Sequence, residues 1–239
     1  MSFEFIKIFL SFLVLIYASY NDLRNRIVPN KNWLIIYPVA VFTDILNFYL
    51  EFSLQNIVIS ITSILIAIGI GFLCFYSGFL GGGDVKTFIA ISLFCPTFIF
   101  NSKSLFYPFL PLSTLVNSLF LLLLINFCLF FRNLFKFIKG EKIFEGLEHE
   151  VFWKKFYAML IGYKTSGKCN WKFFRVIEES IGGKKTFKFH NLETNFNISN
   201  METWVVPVIP FIVLIFLGFV ISLFLGDFFT FLVKIVLSI

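Results

Sequence analysis

Apolar residues dominate six stretches of the chain, 3–20, 33–50, 54–80, 85–100, 106–131 and 203–225, with polar residues concentrated between them. A helix rises about 1.5 Å per residue and needs about 20 residues to cross roughly 30 Å of hydrocarbon. Each run is therefore read as a membrane-spanning helix, with 85–100 short enough that it is expected to begin within the glycines before it. The tail 228–239 is apolar but interrupted by Lys234. It is too short to span, and an interfacial or re-entrant segment is expected. The first run is expected to be a retained helix, because Tyr17-Ala18-Ser19-Tyr20 offers no convincing cleavage site and positive charges follow the run instead of leading it.

Composition agrees with this pattern, since 58% hydrophobic and 14% charged residues do not suit a soluble domain of 239 residues. The fold class expected is an all-α polytopic membrane protein of about six transmembrane helices, with a small cytoplasmic α/β insertion before the last helix. The expected divisions are 1–131 (spans one to five), 132–202 (a cytoplasmic soluble insertion) and 203–239 (the last helix and C-terminal segment). Lysine and arginine set orientation by collecting in cytoplasmic loops. Arg24, Arg26 and Lys31 follow the first run, and 132–202 carries 13 of the 20 basic residues. This places the N-terminus outside and both basic loops in the cytoplasm of a multi-pass cell-membrane protein. The net charge of +6 is then largely topological, and the glutamates scattered through 132–202 argue against a nucleic-acid partner.

Within the insertion, 144–163 reads as an amphipathic helix with Phe152, Phe156, Met159 and Leu160 on one side. Residues 171–177 and 185–189 alternate as short strands, with Thr165-Ser166-Gly167 and Gly182-Gly183 as turns. The insertion is expected to rest on the membrane surface. Cys74, Cys95 and Cys128 lie within apolar runs, Cys169 stands alone in the loop, and the only histidines are His149 and His190. With no C-x-x-C pair, no metal or other cofactor is expected.

The acidic residues before position 132 are Glu4, Asp22, Asp44, Glu51 and Asp84. Carboxylates at membrane depth need a role or an exit to water. Glu4 and Glu51, at the outer ends of their runs, can be solvated. Asp44 lies about 16 Å along its run at 1.5 Å per residue, and a structural hydrogen bond to another helix is expected. Asp22 follows the first run at its cytoplasmic edge, and Asp84 follows Gly81-Gly82-Gly83 at the start of another helix. Glycines there permit left-handed torsions and close backbone approach, and a helix N-terminus favours a carboxylate. Alone, each aspartate reads as a turn or helix-start residue. Brought together, two carboxylates would share a proton, one activating water as the other donates to a peptide carbonyl. Lys86 either orients Asp84 or extends to the interface.

Gly81-Gly82-Gly83-Asp84 fits the G-x-G-D motif of membrane aspartic proteases, and Gly82-Gly83-Asp84-Val85-Lys86 resembles its prepilin peptidase branch. Asp22-Leu23-Arg24, followed by Ile27-Val28-Pro29-Asn30, is similar to the first-aspartate segment of type IV prepilin peptidases. The late insertion and Trp204-Val205-Val206-Pro207-Val208-Ile209-Pro210 look like the archaeal preflagellin and prepilin peptidases. The early paired C-x-x-C motifs of bacterial members are missing, which puts their methyltransferase activity in doubt. The resemblance implies a membrane aspartic endopeptidase with Asp22 and Asp84 as the catalytic pair and Gly81, Gly82, Gly83 and Lys86 in the active-site loop. It further implies cleavage of class III signal peptides of preflagellins or prepilins at the cytoplasmic face. Two other readings are a presenilin-type protease cutting within a transmembrane segment, with Pro207 and Pro210 as its proline pair, and a transporter using Asp44, Asp84 and a glycine-broken helix.

Overall fold

The computed structural model describes residues 2–50, 52–97, 104–165, 173–181, 184–189 and 202–237. Outside them lie several features singled out in the sequence: Glu51, residues 98–100 of the fourth run, Ser166-Gly167, Cys169, residues 171–172, Gly182-Gly183 and His190. The chain forms two compact units, 1–122 with 210–239, and 123–209.

The first unit is helical. It contains α1 (Ser2–Asn25), α2 (Asn30–Leu50), α3 (Leu54–Tyr76), α4 (Gly82–Phe94), the first part of α5 (Leu110–Ile138), α7 (Phe211–Phe224) and α8 (Phe228–Leu237). Helices α1, α2, α3 and α5 are each long and apolar enough to cross a membrane, and the bent pair α7 and α8 makes a fifth candidate span. The fourth expected span is instead a 13-residue helix, about 20 Å long and too short to cross. It stops before Cys95-Pro96, where the proline disfavours helical torsions in the residue preceding it.

Short as it is, α4 packs against α1, α2, α3 and α7. Val85, Phe88, Ala90, Ile91 and Phe94 are all buried, so the helix is apolar around most of its circumference, as a helix surrounded by others must be. Ile91 and Phe94 join Ile8, Leu15, Ala40, Leu110, Ile215 and Phe219 in one cluster. Val85 and Phe88 join Ala67, Leu80 and Leu115 in another. The surrounding helices turn Phe9, Leu34, Ile35, Leu65 and Leu73 outward, as a lipid-facing surface would. α7 approaches α5 closely: a Cβ on Gly218 would lie 2.7 Å from the Thr114 carbonyl oxygen. Between α7 and α8 the chain bends by 52° at Gly226, whose φ of +87° suits glycine.

Asp44 meets the sequence expectation of a hydrogen bond to another helix. Its carboxylate receives the Lys7 ammonium in a buried ion pair between α2 and α1.

The second unit comprises the end of α5, α6 (Phe152–Ile161), and strands β1 (Tyr163–Thr165), β2 (Phe174–Val176), β3 (Glu178–Ile181), β4 (Lys184–Phe187) and β5 (Thr203–Pro207). β5 is the centre of an antiparallel sheet of order β1-β5-β2, and β3 and β4 form a hairpin. Its core gathers Ile143, Leu147, Ala158, Met159, Ile177 and Phe187 around Trp204. The Trp204 indole N–H donates to the Ile143 carbonyl oxygen at 2.9 Å, and Phe144 stacks on the ring at 5.3 Å.

Two boundaries and one helix face depart from the sequence reading. Residues 203–207, read as the start of the last span, form β5; their β-branched and aromatic side chains suit a strand paired on both edges, and Pro207 and Pro210 delay the helix to Phe211. The helix expected over 144–163 begins only at Phe152, because Gly146 at φ +79° turns the chain before it. Within α6 the apolar arc is split, with Met159 inside and Phe152 and Phe156 outside.

Candidate active site

α1 continues to Asn25, so Asp22 sits inside its last turn instead of beyond the end of the helix, as the sequence suggested. The helix stops at Arg26, a non-glycine residue with φ +57°, whose N–H donates to the Asp22 carbonyl oxygen at 3.0 Å in a left-handed C-terminal cap. The Arg26 guanidinium is an electrostatic partner of the Asp22 side chain. That side chain is buried, and its Oδ2 accepts the backbone N–H of Ile212 at 3.3 Å.

This contact follows from how α7 starts. Its N-cap is Pro210, which has no side-chain acceptor, so the first-turn N–H groups need partners from elsewhere. Asp22 supplies one from another helix, and the partial positive charge of the α7 N-terminus faces the carboxylate.

Asp84 is the third residue of α4. Its Oδ2 accepts the Gly81 N–H at 2.9 Å, the reciprocal half of a capping box. The three glycines differ in role. Gly81 has an ordinary extended backbone, φ −72° and ψ 159°, and the left-handed torsion lies upstream at Gly78, φ +73°. The left-handed torsions expected of the glycine run are therefore not found in Gly81–Gly83. What Gly81 provides is room, since a Cβ there would lie 3.1 Å from Asp84 Oδ2. At Gly83 a Cβ would meet Ile212 Cδ1 at an ordinary 3.7 Å, and at Gly82 it would meet Phe75 at 3.7 Å.

Ile212 thus connects the two aspartates: its N–H holds Asp22 and its side chain lies against Gly83, next to Asp84. Ile212 also joins Ala18, Val28, Trp33 and Ala90 in an apolar cluster. Burial pushes the Asp84 carboxyl up to about 6; the Gly81 N–H opposes the shift and the Asp22 charge adds to it.

Lys86 does not reach Asp84. Its Nζ donates to Asn30 Oδ1 at 2.5 Å, joining the first residue of α2 to the fifth residue of α4. The Tyr37 hydroxyl donates to the Lys86 carbonyl oxygen at 3.2 Å. Asn30 belongs to the segment after Asp22 that was noted in the sequence, but its partnership with Lys86 was not. Ile212 was missed altogether. The signal available for it was a helix start, Pro207 to Pro210, without a capping side chain.

Residues 9–131 match the type IV leader peptidase family, and residues 146–228 match the archaeal peptidase A24 C-terminus type II. The chain is 29% identical to a preflagellin peptidase of Methanococcus voltae over 231 residues, covering 90% of this chain and 93% of the relative. A preflagellin peptidase of Methanocaldococcus jannaschii is 26% identical over 230 residues, 89% of this chain and 91% of the relative. One from Methanococcus maripaludis is 28% identical over 230 residues, with coverages of 90% and 93%.

Proposed function

This chain belongs to the type IV leader peptidase family, and from that premise we propose that it is a membrane aspartic endopeptidase acting through Asp22 and Asp84. The observation that supports the reading is that Ile212 of α7 bonds Asp22 through its N–H and lies against Gly83, next to Asp84, whose carboxyl feels the Asp22 charge. Two neighbouring carboxylates, one of them raised by burial, favour a singly protonated pair. In the mechanism, the ionised member draws a proton from water as the water attacks the scissile carbonyl. The protonated member donates to the carbonyl oxygen, and the resulting diol collapses as its nitrogen takes a proton. No covalent intermediate or metal takes part. The pair closes fully on the substrate when the glycine segment and the 26–30 turn move, a step of the kind that completes many active sites.

The substrate is a preflagellin or prepilin carrying a class III signal peptide, the first being what the archaeal relatives are named for. Its basic leader lies at the cytoplasmic face and its apolar helix along the spans, which presents the junction to the pair. The orientation rests on Arg24, Arg26 and Lys31 and on the basic residues of 132–202. Residues 132–202 then form a cytoplasmic insertion. The test is incubation of the purified chain in membranes with such a substrate, followed by N-terminal sequencing of the product. A cut just before the hydrophobic segment supports the reading. A cut inside that segment indicates a presenilin-type protease, and no cut across several substrates overturns the peptidase reading.

A further inference from the structure

α6 has two apolar faces. Ala158 and Met159 pack into the core of the second unit, while Phe152, Trp153, Phe156 and Tyr157 project on another face and remain well exposed, Trp153 at 72%. At 100° per residue these four fall within one arc of about 140°. Three of the rings touch one another, Phe152 and Trp153 at 5.7 Å and Trp153 and Phe156 at 6.3 Å, while Tyr157 packs edge-on against Phe189 at 4.9 Å. Four neighbouring aromatic rings left outside a folded unit call for a covering surface.

The helix next to α6 says what that surface is. α5 has no charged residue from Leu110 to Phe131, and then Arg132 and Lys136 appear. About 20 residues from Leu110 cross the hydrocarbon, so α5 leaves it near Phe130. Phe130 is the ring that α6 packs against, 5.4 Å from Phe156 and 5.8 Å from the outward-facing Phe131. The aromatic face of α6 is therefore continuous with the lipid-facing surface of α5 at the depth of the membrane interface, where aromatic side chains concentrate.

We infer that α6 is an in-plane membrane anchor, its Phe152, Trp153, Phe156 and Tyr157 sunk into the lipid at the boundary of headgroups and acyl chains. Its lysines do not drive the contact. Lys154 pairs with Glu150 at 3.0 Å and Lys155 donates to the Glu148 carbonyl oxygen at 2.7 Å, so buried aromatic area supplies the affinity. The anchor fixes the second unit to the bilayer surface whatever the substrate, and the inference does not depend on the peptidase assignment.

The experiment uses the full chain in phosphatidylcholine vesicles whose acyl chains carry bromine at shallow positions. The Trp153 emission is obtained as the difference between the unmodified chain and Trp153→Phe, so that Trp33, Trp171 and Trp204 cancel. A second reporter, Phe156→Trp in the Trp153→Phe background, sits one turn further along. Brominated lipid should cut the emission at both positions to roughly half or less, with aqueous iodide having little effect. Emission unaffected by brominated lipid overturns the inference. Quenching by iodide would then place the face in water, and protection from both quenchers would place it against protein.

Discussion

The Asp22 carboxylate caps a helix to which it does not belong, accepting the Ile212 N–H of α7 from the last turn of α1 at 3.3 Å. Asparagine keeps an acceptor oxygen at this position and alanine does not. Asp22→Asn should therefore unfold near the unmodified temperature in detergent, while Asp22→Ala should lose about 1–3 kcal/mol, the usual cost of a buried donor left unpaired. Equal thermal stability of the two variants would mean that the contact contributes nothing.

Gly81 and Gly82 should respond differently to alanine. At Gly81 the added methyl group presses on Asp84 Oδ2 at 3.1 Å, and at Gly82 it makes ordinary contact with Phe75. Gly81→Ala should reduce substrate cleavage by about 10²-fold, the scale on which small misplacements of a reacting group act. Gly82→Ala should stay within about threefold. The assay is the initial cleavage rate at matched protein levels.

Lys86 is bonded to Asn30 and not to Asp84, so any part it has in cleavage should run through Asn30. Lys86→Met and Asn30→Ala should each slow cleavage, and the double variant should be no slower than the worse single one. That non-additivity marks a pair acting as a unit, with couplings of about 0.5–3 kcal/mol. The pH of half-maximal rate should not move. Additive losses, or a displaced pH profile, would point to separate roles.

The pH dependence follows from Asp84, raised by burial from 3.8 to about 6. Between those values the folded chain holds a proton that the unfolded chain has released. By linkage, this group's contribution to stability is full below about 4 and is lost as pH rises through about 6. Asp84→Asn should therefore flatten the change of melting temperature over that range. In the proposed mechanism the same proton sits on the singly protonated pair, so kcat/KM should fall on the alkaline side of about 6. A kcat/KM that rises through this range would contradict the assignment of the proton.

Lys7 and Asp44 form a buried ion pair between α1 and α2. Removing one partner strands the other charge, so Lys7→Met should cost about 3–5 kcal/mol, and Lys7→Met with Asp44→Leu should recover most of it. The double variant should retain cleavage, since neither residue belongs to the site. Thermal unfolding and the cleavage assay together check this.

What the sequence conveyed depended on how local each feature is. Asp22 and the Gly81–Asp84 run each stand within a few residues of a span edge, so motif and hydropathy located them together. Ile212 could not be found that way, because it contributes a backbone N–H that any residue would offer. Hydropathy cannot separate a buried strand from a helix start, and Thr203–Pro207 was accordingly read as membrane. The 13-residue α4 was read as a full span because the apolar run continues past Cys95-Pro96. The Lys7 to Asp44 and Lys86 to Asn30 pairings, 37 and 56 residues apart, exist only once the helices have packed.

The most direct test of the central claim compares cleavage of a class III signal-peptide substrate by the unmodified chain, Asp22→Asn and Asp84→Asn. Each variant keeps its side chain's shape and an acceptor oxygen. The account predicts that both variants fold, as judged by cooperative thermal unfolding at a temperature no lower than that of the unmodified chain, and that both lose at least about 10³-fold in rate. A folded variant of either kind that retains cleavage within about tenfold would show that the two carboxylates are not the catalytic pair.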